Sequence, residues 1–276
     1  MDSSPHHWIP AIHRILHLVL ILDDHSRKIL AAQFFTKDTS YNNMLLLKEI
    51  VRKYGVFHLL YTDNDSKFKY LRNNPSRYFE YKKAPEDVFT QIDRALSELN
   101  TRLTHTPPFE PQGRGKIERL FGFMQERLPK ELALKEIVTI ADANRYLKGW
   151  IRWYNNRIHT ETGMKPNVRF KNSAFVPLPE GKNLDDIFSL VEKRVVKADN
   201  TISYHGRVYQ LRPDRYRISW TKALVELRIH PEEKIRVFYK SELIQEFKWN
   251  EYVFNRNRRK RSDILPLQRC DILSLR

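Results

Sequence analysis

The sequence predicts an α/β protein: a mixed sheet flanked by helices, followed by a small antiparallel β-barrel. Three observations lead there. Apolar runs and helical repeats follow one another in the order β-β-β-α-β-α-β-α through the first 131 residues. A stretch rich in Pro, Gly, Asn and Lys interrupts the pattern at 171–183. Beyond it the pattern turns to short alternating strands separated by turn residues.

Each element has its own signature. Asp2 opens the first strand. "RILHLVLIL" and "KILAAQFF" are strands joined by the polar turn "DDHSR". Ser40 caps a helix that places Met44, Leu47, Val51 and Tyr54 on one face, and Gly55 ends it. "VFHLLYT" at 56–62 is a strand that stops at Asp63. Residues 69–86 form a polar, aromatic insertion, and a helix then spans about 87–100, with Ile92, Ala95, Leu96 and Leu99 at helical spacing. "RLTHT" is a further strand, broken by Pro107 and Pro108. Two helices complete the larger domain, from about Gly113 to Glu131 and from about Thr139 to Asn156. Trp150, Trp153 and Tyr154 on the second are expected in its core. "KRVVKADNTISYHGRVYQL", "ALVELRIH", "KIRVFYK" and "LIQEFKW" supply the barrel, with turns at Asp199-Asn200, His205-Gly206 and Pro231-Glu232. The domains are therefore 1–170, a linker at 171–183, a barrel at 184–250 and a basic tail at 251–276.

Composition narrows the function. Lys and Arg number 49 against 33 Asp and Glu, a formal net charge of +16, which points to a polyanionic partner. The longest apolar run, "ILHLVLIL", is far short of the roughly 20 residues that span a bilayer, so no membrane role is expected. Cys270 is the one cysteine, which excludes an intrachain disulfide and any zinc site built on cysteines. A reducing cytoplasmic setting is the simplest expectation, and any metal must be a hard cation held by oxygen or imidazole, such as Mg²⁺ or Mn²⁺.

Three carboxylates stand where rigid elements end. Asp2 begins a strand, Asp63 ends one, and Glu118 rides the helix start "GRGKIER" among cations. Ile117, Leu120, Phe121, Met124 and Leu128 form that helix's apolar face, and Glu118 falls about 100° from Ile117, at the edge of that face. Carboxylates converging from such places are what a pair of hard cations requires in phosphoryl transfer. Each acid also has a plainer reading: Asp2 a frayed terminus, Asp63 a turn residue, Glu118 a partner for Arg114. Arg114, Lys116 and Arg119 could contact phosphates, as could the run Arg258, Arg259, Lys260 and Arg261. Asp23 and Asp24 with Ser26 and Arg27 build the hairpin turn.

"MDSSPHHWIP", "LILDDHSRKILAAQFF", "LLYTDNDSKF", "PQGRGKIERLFGFMQERL" and "WIRWYNNRIHTETGMKP" occur in that order. Together they resemble the catalytic core of insertion-sequence transposases of the retroviral-integrase superfamily, the DDE recombinases. The resemblance covers roughly 1–170, and the later strands resemble the C-terminal β domain of Mu-like members. It implies an RNase H-like fold, Mg²⁺-dependent cleavage and joining of double-stranded DNA ends, and a DNA-bound homo-oligomer. It also implies a bacterial, nucleoid-associated location when bound to DNA. The family's acidic triad maps onto Asp2, Asp63 and Glu118, as catalytic residues and metal ligands. Asn155, Arg157 and His159 match a "YN..R.H" stretch expected near the active site. Relatives usually carry a helix-turn-helix region ahead of this core, whereas this sequence begins one residue before Asp2. A second expectation is therefore a truncated, catalytically inactive DNA-binding remnant.

Overall fold

The computed structural model describes residues 1–63, 67–68, 90–105, 115–171, 174–213, 217–231 and 233–255. It forms two compact units, Met1–Phe188 and Ser189–Arg276.

In the first unit, β1 (Asp2–His6), β2 (Leu16–Leu22) and β3 (Ile29–Phe35) make an antiparallel sheet in the order β1-β2-β3. Asp2 lies opposite Leu20 and Leu18 opposite Phe34. The β2–β3 turn is held from within. Asp23 Oδ2 accepts from the Ser26 amide at 2.7 Å and from its hydroxyl at 2.5 Å, while the Asp23 amide donates to Lys28 O at 2.8 Å. The acids of "DDHSR" thus serve the turn, as the sequence predicts.

Helix α1 (Ser40–Tyr54) is capped by Thr39, one residue before the expected Ser40, whose hydroxyl accepts from the Asn42 amide. Gly55 ends α1 with φ 104°, and its amide donates to Val51 O. The expected single strand over 56–62 is two: β4 (Val56–Phe57) and β5 (Leu59–Thr62). β4 pairs with β7 (Phe175–Val176), so a strand lies inside the stretch read as a linker. A Cβ on Gly55 would sit 2.5 Å from the Val176 carbonyl oxygen, so both space and backbone angle require glycine. β5 pairs in parallel with β6 (Arg102–His105), and α2 (Gln91–Ser97) precedes β6.

Helices α3 (Gly115–Leu134) and α4 (Ile140–Asn156) cover the β1-β2-β3 sheet. Leu120, Met124, Leu128 and Leu132 of α3 meet Trp8, Leu18, Leu20 and Phe34 in one core, with Leu147 and Trp150 of α4. Fully burying a side chain such as Leu128 contributes about 1.5–3 kcal/mol. Trp150 and Tyr154 are buried, as expected of the core; Trp153 is 39% exposed and lies beneath the Arg127 guanidinium. Short helices α5 (Pro166–Arg169) and α6 (Leu184–Ile187) follow, and the Lys48–Asp185 ion pair ties α6 to α1. The first unit therefore runs to Phe188, beyond the expected boundary at 170.

The second unit contains β8 (Leu190–Val195), β9 (Thr201–Tyr204), β10 (Arg207–Gln210), β11 (Leu224–His230), β12 (Lys234–Tyr239), β13 (Glu242–Lys248) and β14 (Phe254–Asn255). They form two sheets, β13-β12-β11-β8 and β14-β10-β9, around a core containing Tyr209, Trp220, Leu227, Ile229, Ile235 and Val237. Among the described residues these sheets do not close into the expected barrel. Two of the predicted turns are present: Asn200 has φ 58°, and His205 and Gly206 both have positive φ, as a two-residue hairpin demands, while Glu232 of the third lies outside the described residues.

Candidate active site at the start of β1

Residues far apart in sequence meet where β1 begins. The Met1 amino group donates to the Tyr61 carbonyl oxygen at 2.9 Å, so the start of β1 lies against β5. Asp2 follows Met1 directly, and Asp63 stands two residues after Tyr61, just past the end of β5. Asp2 is buried, and its Oδ1 accepts from the Ser3 amide at 2.8 Å. Asp63 is partly buried, and its backbone is pinned across to β6. Its carbonyl oxygen lies 3.1 Å from both the Thr62 hydroxyl and His105 Nδ1, which are themselves 3.1 Å apart. His105 was not singled out in the sequence; its signal is that it closes a strand that must lie beside the one ending at Asp63.

Helix α3 is anchored to the same end of the sheet. Ser4 shares Asp2's face of β1, because side chains alternate along a strand. Gln125 Nε2 donates to Ser4 Oγ at 2.9 Å, which fixes one side of α3 against β1. Glu118 lies seven residues before Gln125, within about 20° of two full turns, and so emerges on that same side. Lys116 Nζ contacts both carboxylate oxygens of Asp24 at 2.8 Å, which ties the first turn of α3 to the β2–β3 turn. Since Asp2 pairs with Leu20, that turn and the start of β1 occupy one end of the sheet.

Asp2 and the first turn of α3 therefore lie toward one end of the β1-β2-β3 sheet, and Asp63 follows β5, whose Tyr61 carbonyl Met1 reaches. Glu118 is exposed in the first turn of α3, where the helix dipole favours an acid. Among the described residues no three His, Cys, Asp or Glu side chains come close enough to grip one ion. Carboxylate oxygens such as those of Asp2, Asp63 and Glu118 are donors suited to a hard divalent cation.

The predicted cations divide. Lys116 is occupied by Asp24, and Arg119 donates from Nε to Gly115 O at 3.0 Å while its Nη2 lies 3.8 Å from Glu161. Arg114, Arg258, Arg259, Lys260 and Arg261 lie outside the described residues. Asn155, expected near the active site, is instead committed to the edge of the sheet: it accepts from the Ile29 amide and donates to the Ile29 carbonyl, both at 2.9 Å. His159 is half-buried, and burial holds its imidazole below the usual histidine range.

No helix among the described residues is long and apolar enough to cross a membrane. No protein-family model matches the chain. It is 32% identical to the transposase for insertion sequence IS1202 of Streptococcus pneumoniae over 228 residues, which are 82% of this chain and 45% of that protein. It is 24% identical to the transposase-like protein y4bF of Sinorhizobium fredii, over 87% of this chain and 49% of that protein. The chain thus spans about half the length of the curated relatives it matches. A chain in the cryo-EM structure of the simian T-cell lymphotropic virus intasome with PP2A regulatory subunit B56 gamma aligns with 91% of this one, covering 75% of its own length. Its identity of 16% and TM-score of 0.46 are too low to argue from. The sequence relationship to insertion-sequence transposases, along most of this chain, places it in the DDE transposase/integrase superfamily.

Proposed function

We propose that this chain is the catalytic portion of a DNA transposase, with an RNase H-like core followed by a small β domain. What supports the reading is the Met1–Tyr61 bond, which sets the start of β1 beside β5, together with the tie from the first turn of α3 to the β2–β3 turn. An RNase H-like core would join β1-β2-β3 and β5-β6 in one mixed sheet; here they are two sheets with the Met1–Tyr61 bond between them.

The reaction has two transesterification-like steps. A water oxygen attacks a phosphodiester at the element end, and the P–O bond to the 3′ oxygen breaks, which frees a 3′-hydroxyl. That hydroxyl then attacks a phosphodiester of target DNA, forming one P–O bond while another breaks, so no nucleotide cofactor is consumed. Asp2 and Asp63, with Glu118, would hold Mg²⁺ or Mn²⁺, which when bound offsets phosphate charge and favours in-line attack. Thr62 and His105 keep the Asp63 backbone in place. Lys116 and Arg119 flank Glu118 and, with Arg114, neutralise strand phosphates. The partners are double-stranded DNA at the element ends and the target. Cutting two ends together calls for a DNA-bound homo-oligomer.

The test is strand transfer from a pre-cut end duplex into plasmid DNA with Mg²⁺. Asp63→Asn should abolish joining while duplex affinity stays intact or rises, because a negative charge near the phosphates is removed. Undiminished joining by that variant would contradict the reading.

A further inference from the structure

A cavity of about 220 Å³ opens beside the first turn of α3, between the β2–β3 turn and the residues that follow α4. Its lining carries Arg27, Lys116, Arg119 and Arg157, with His159 and a single acid, Glu161. Lys116 is held by Asp24, which leaves three guanidinium groups facing one carboxylate.

Arg27 sets the floor. Its side chain is only 10% exposed, and its backbone holds a left-handed conformation, φ 63°, that few residues other than glycine adopt. Burying a guanidinium costs free energy unless it is paired. Here Arg27 Nη1 donates to the Asp24 carbonyl, Nη2 reaches Glu161 at 3.3 Å, and the buried Nε has no partner. The strained backbone and the burial together fix a guanidinium at the base of the cavity. Arg157 forms one wall: its guanidinium lies 5.1 Å from the ring centres of Phe123 and Trp153, among neighbours that are neutral aromatics.

Glu161 is a loose partner for so many cations. It is 41% exposed, and its contacts with Arg27 and Arg119 are 3.3 and 3.8 Å long. The pair is open to solvent on the Glu161 side, so a competing anion can reach the same guanidinium groups. A phosphodiester offers two non-bridging oxygens, and planar guanidinium forks bind these in a bidentate way that a lone glutamate oxygen at 3.3 Å does not satisfy.

Building on the transposase reading, we propose that this cavity is a subsite for one backbone phosphate of bound DNA, with Glu161 as the internal anion that the phosphate displaces. The subsite lies beside Lys116 and Arg119, one turn or less from Glu118, and so fixes the register of the strand relative to the predicted carboxylates.

The test is fluorescence anisotropy of a labelled duplex titrated with the full chain across a range of salt, for wild type, Glu161→Gln and the double variant Arg119→Gln/Arg157→Gln. Glu161→Gln should bind several-fold more tightly, because the competing anion is gone. The double variant should flatten the slope of log affinity against log salt by roughly 0.9, the share of the one phosphate contact that is lost. Circular dichroism melts check that both variants are folded. Inorganic phosphate at matched ionic strength should displace little duplex; full displacement would mark a free-phosphate site and overturn the proposal. If wild type binds duplex but Glu161→Gln binds no more tightly, the subsite falls and the transposase reading stands. If wild type binds no duplex, both fall.

Discussion

Asn155 and Asn144 stand eleven residues apart on α4, three turns, and each addresses the backbone of β3. Asn155 bonds both polar groups of Ile29; Asn144 accepts from the Phe34 amide at 2.8 Å and donates to its carbonyl at 3.1 Å. Replacing Asn155 with Leu keeps the volume but leaves a buried amide and carbonyl unsatisfied. A loss of roughly 2–4 kcal/mol is expected, read as a lower urea midpoint with an unchanged slope. Little change would show that Ile29 has another partner. His159 carries a different consequence. Burial holds its folded pKa below the ordinary value of 6.5, with Arg27, Arg157 and Arg119 acting in the same direction and Glu161 against. The unfolded chain then takes up the proton first. Stability is unaffected well above pH 6.5 and falls as pH drops through that value. His159→Gln should remove this component of the pH dependence of unfolding; an identical profile in the variant would contradict the burial argument.

At the scale of elements, α4 acts as a cover for an edge. β3 is the outer strand of β1-β2-β3, and an uncovered edge pairs with other chains. The double variant Asn144→Ala/Asn155→Ala should therefore self-associate more than wild type in light scattering, beyond what either single change causes. No rise in mass would mean that α4's apolar packing protects the edge unaided. Elements long enough to show a period were legible in the sequence. The line Ile117, Leu120, Phe121, Met124 and Leu128 gave α3 its buried face, and the alternating runs gave β11, β12 and β13. Two-residue β7 was not legible, because its pairing with β4 depends on a contact across more than a hundred residues. For the same reason the second unit's strands could be read, while their division into two sheets could not.

At the scale of the whole molecule, the candidate site was legible as residue types and illegible as distances. Motif order nominated Asp2, Asp63 and Glu118; the fold holds the start of β1 against β5 and the first turn of α3 against the β2–β3 turn. The cationic cavity was not legible, because Arg27 sits in the β2–β3 turn and the stretch containing Arg157, His159 and Glu161 is far from it in sequence. The net charge of +16 predicts that affinity for random duplex weakens steeply with salt; a flat profile between low and moderate salt would mean the basic surface does not face DNA. The central claim is that Asp2 and Asp63 hold a divalent ion together. Titration of Mn²⁺ into the chain, followed by electron paramagnetic resonance, tests it most directly. Wild type should take up Mn²⁺ in a way that Asp2→Asn and Asp63→Asn each diminish, with Glu118→Gln having the smaller effect. Equal uptake by wild type and both aspartate variants would contradict the account.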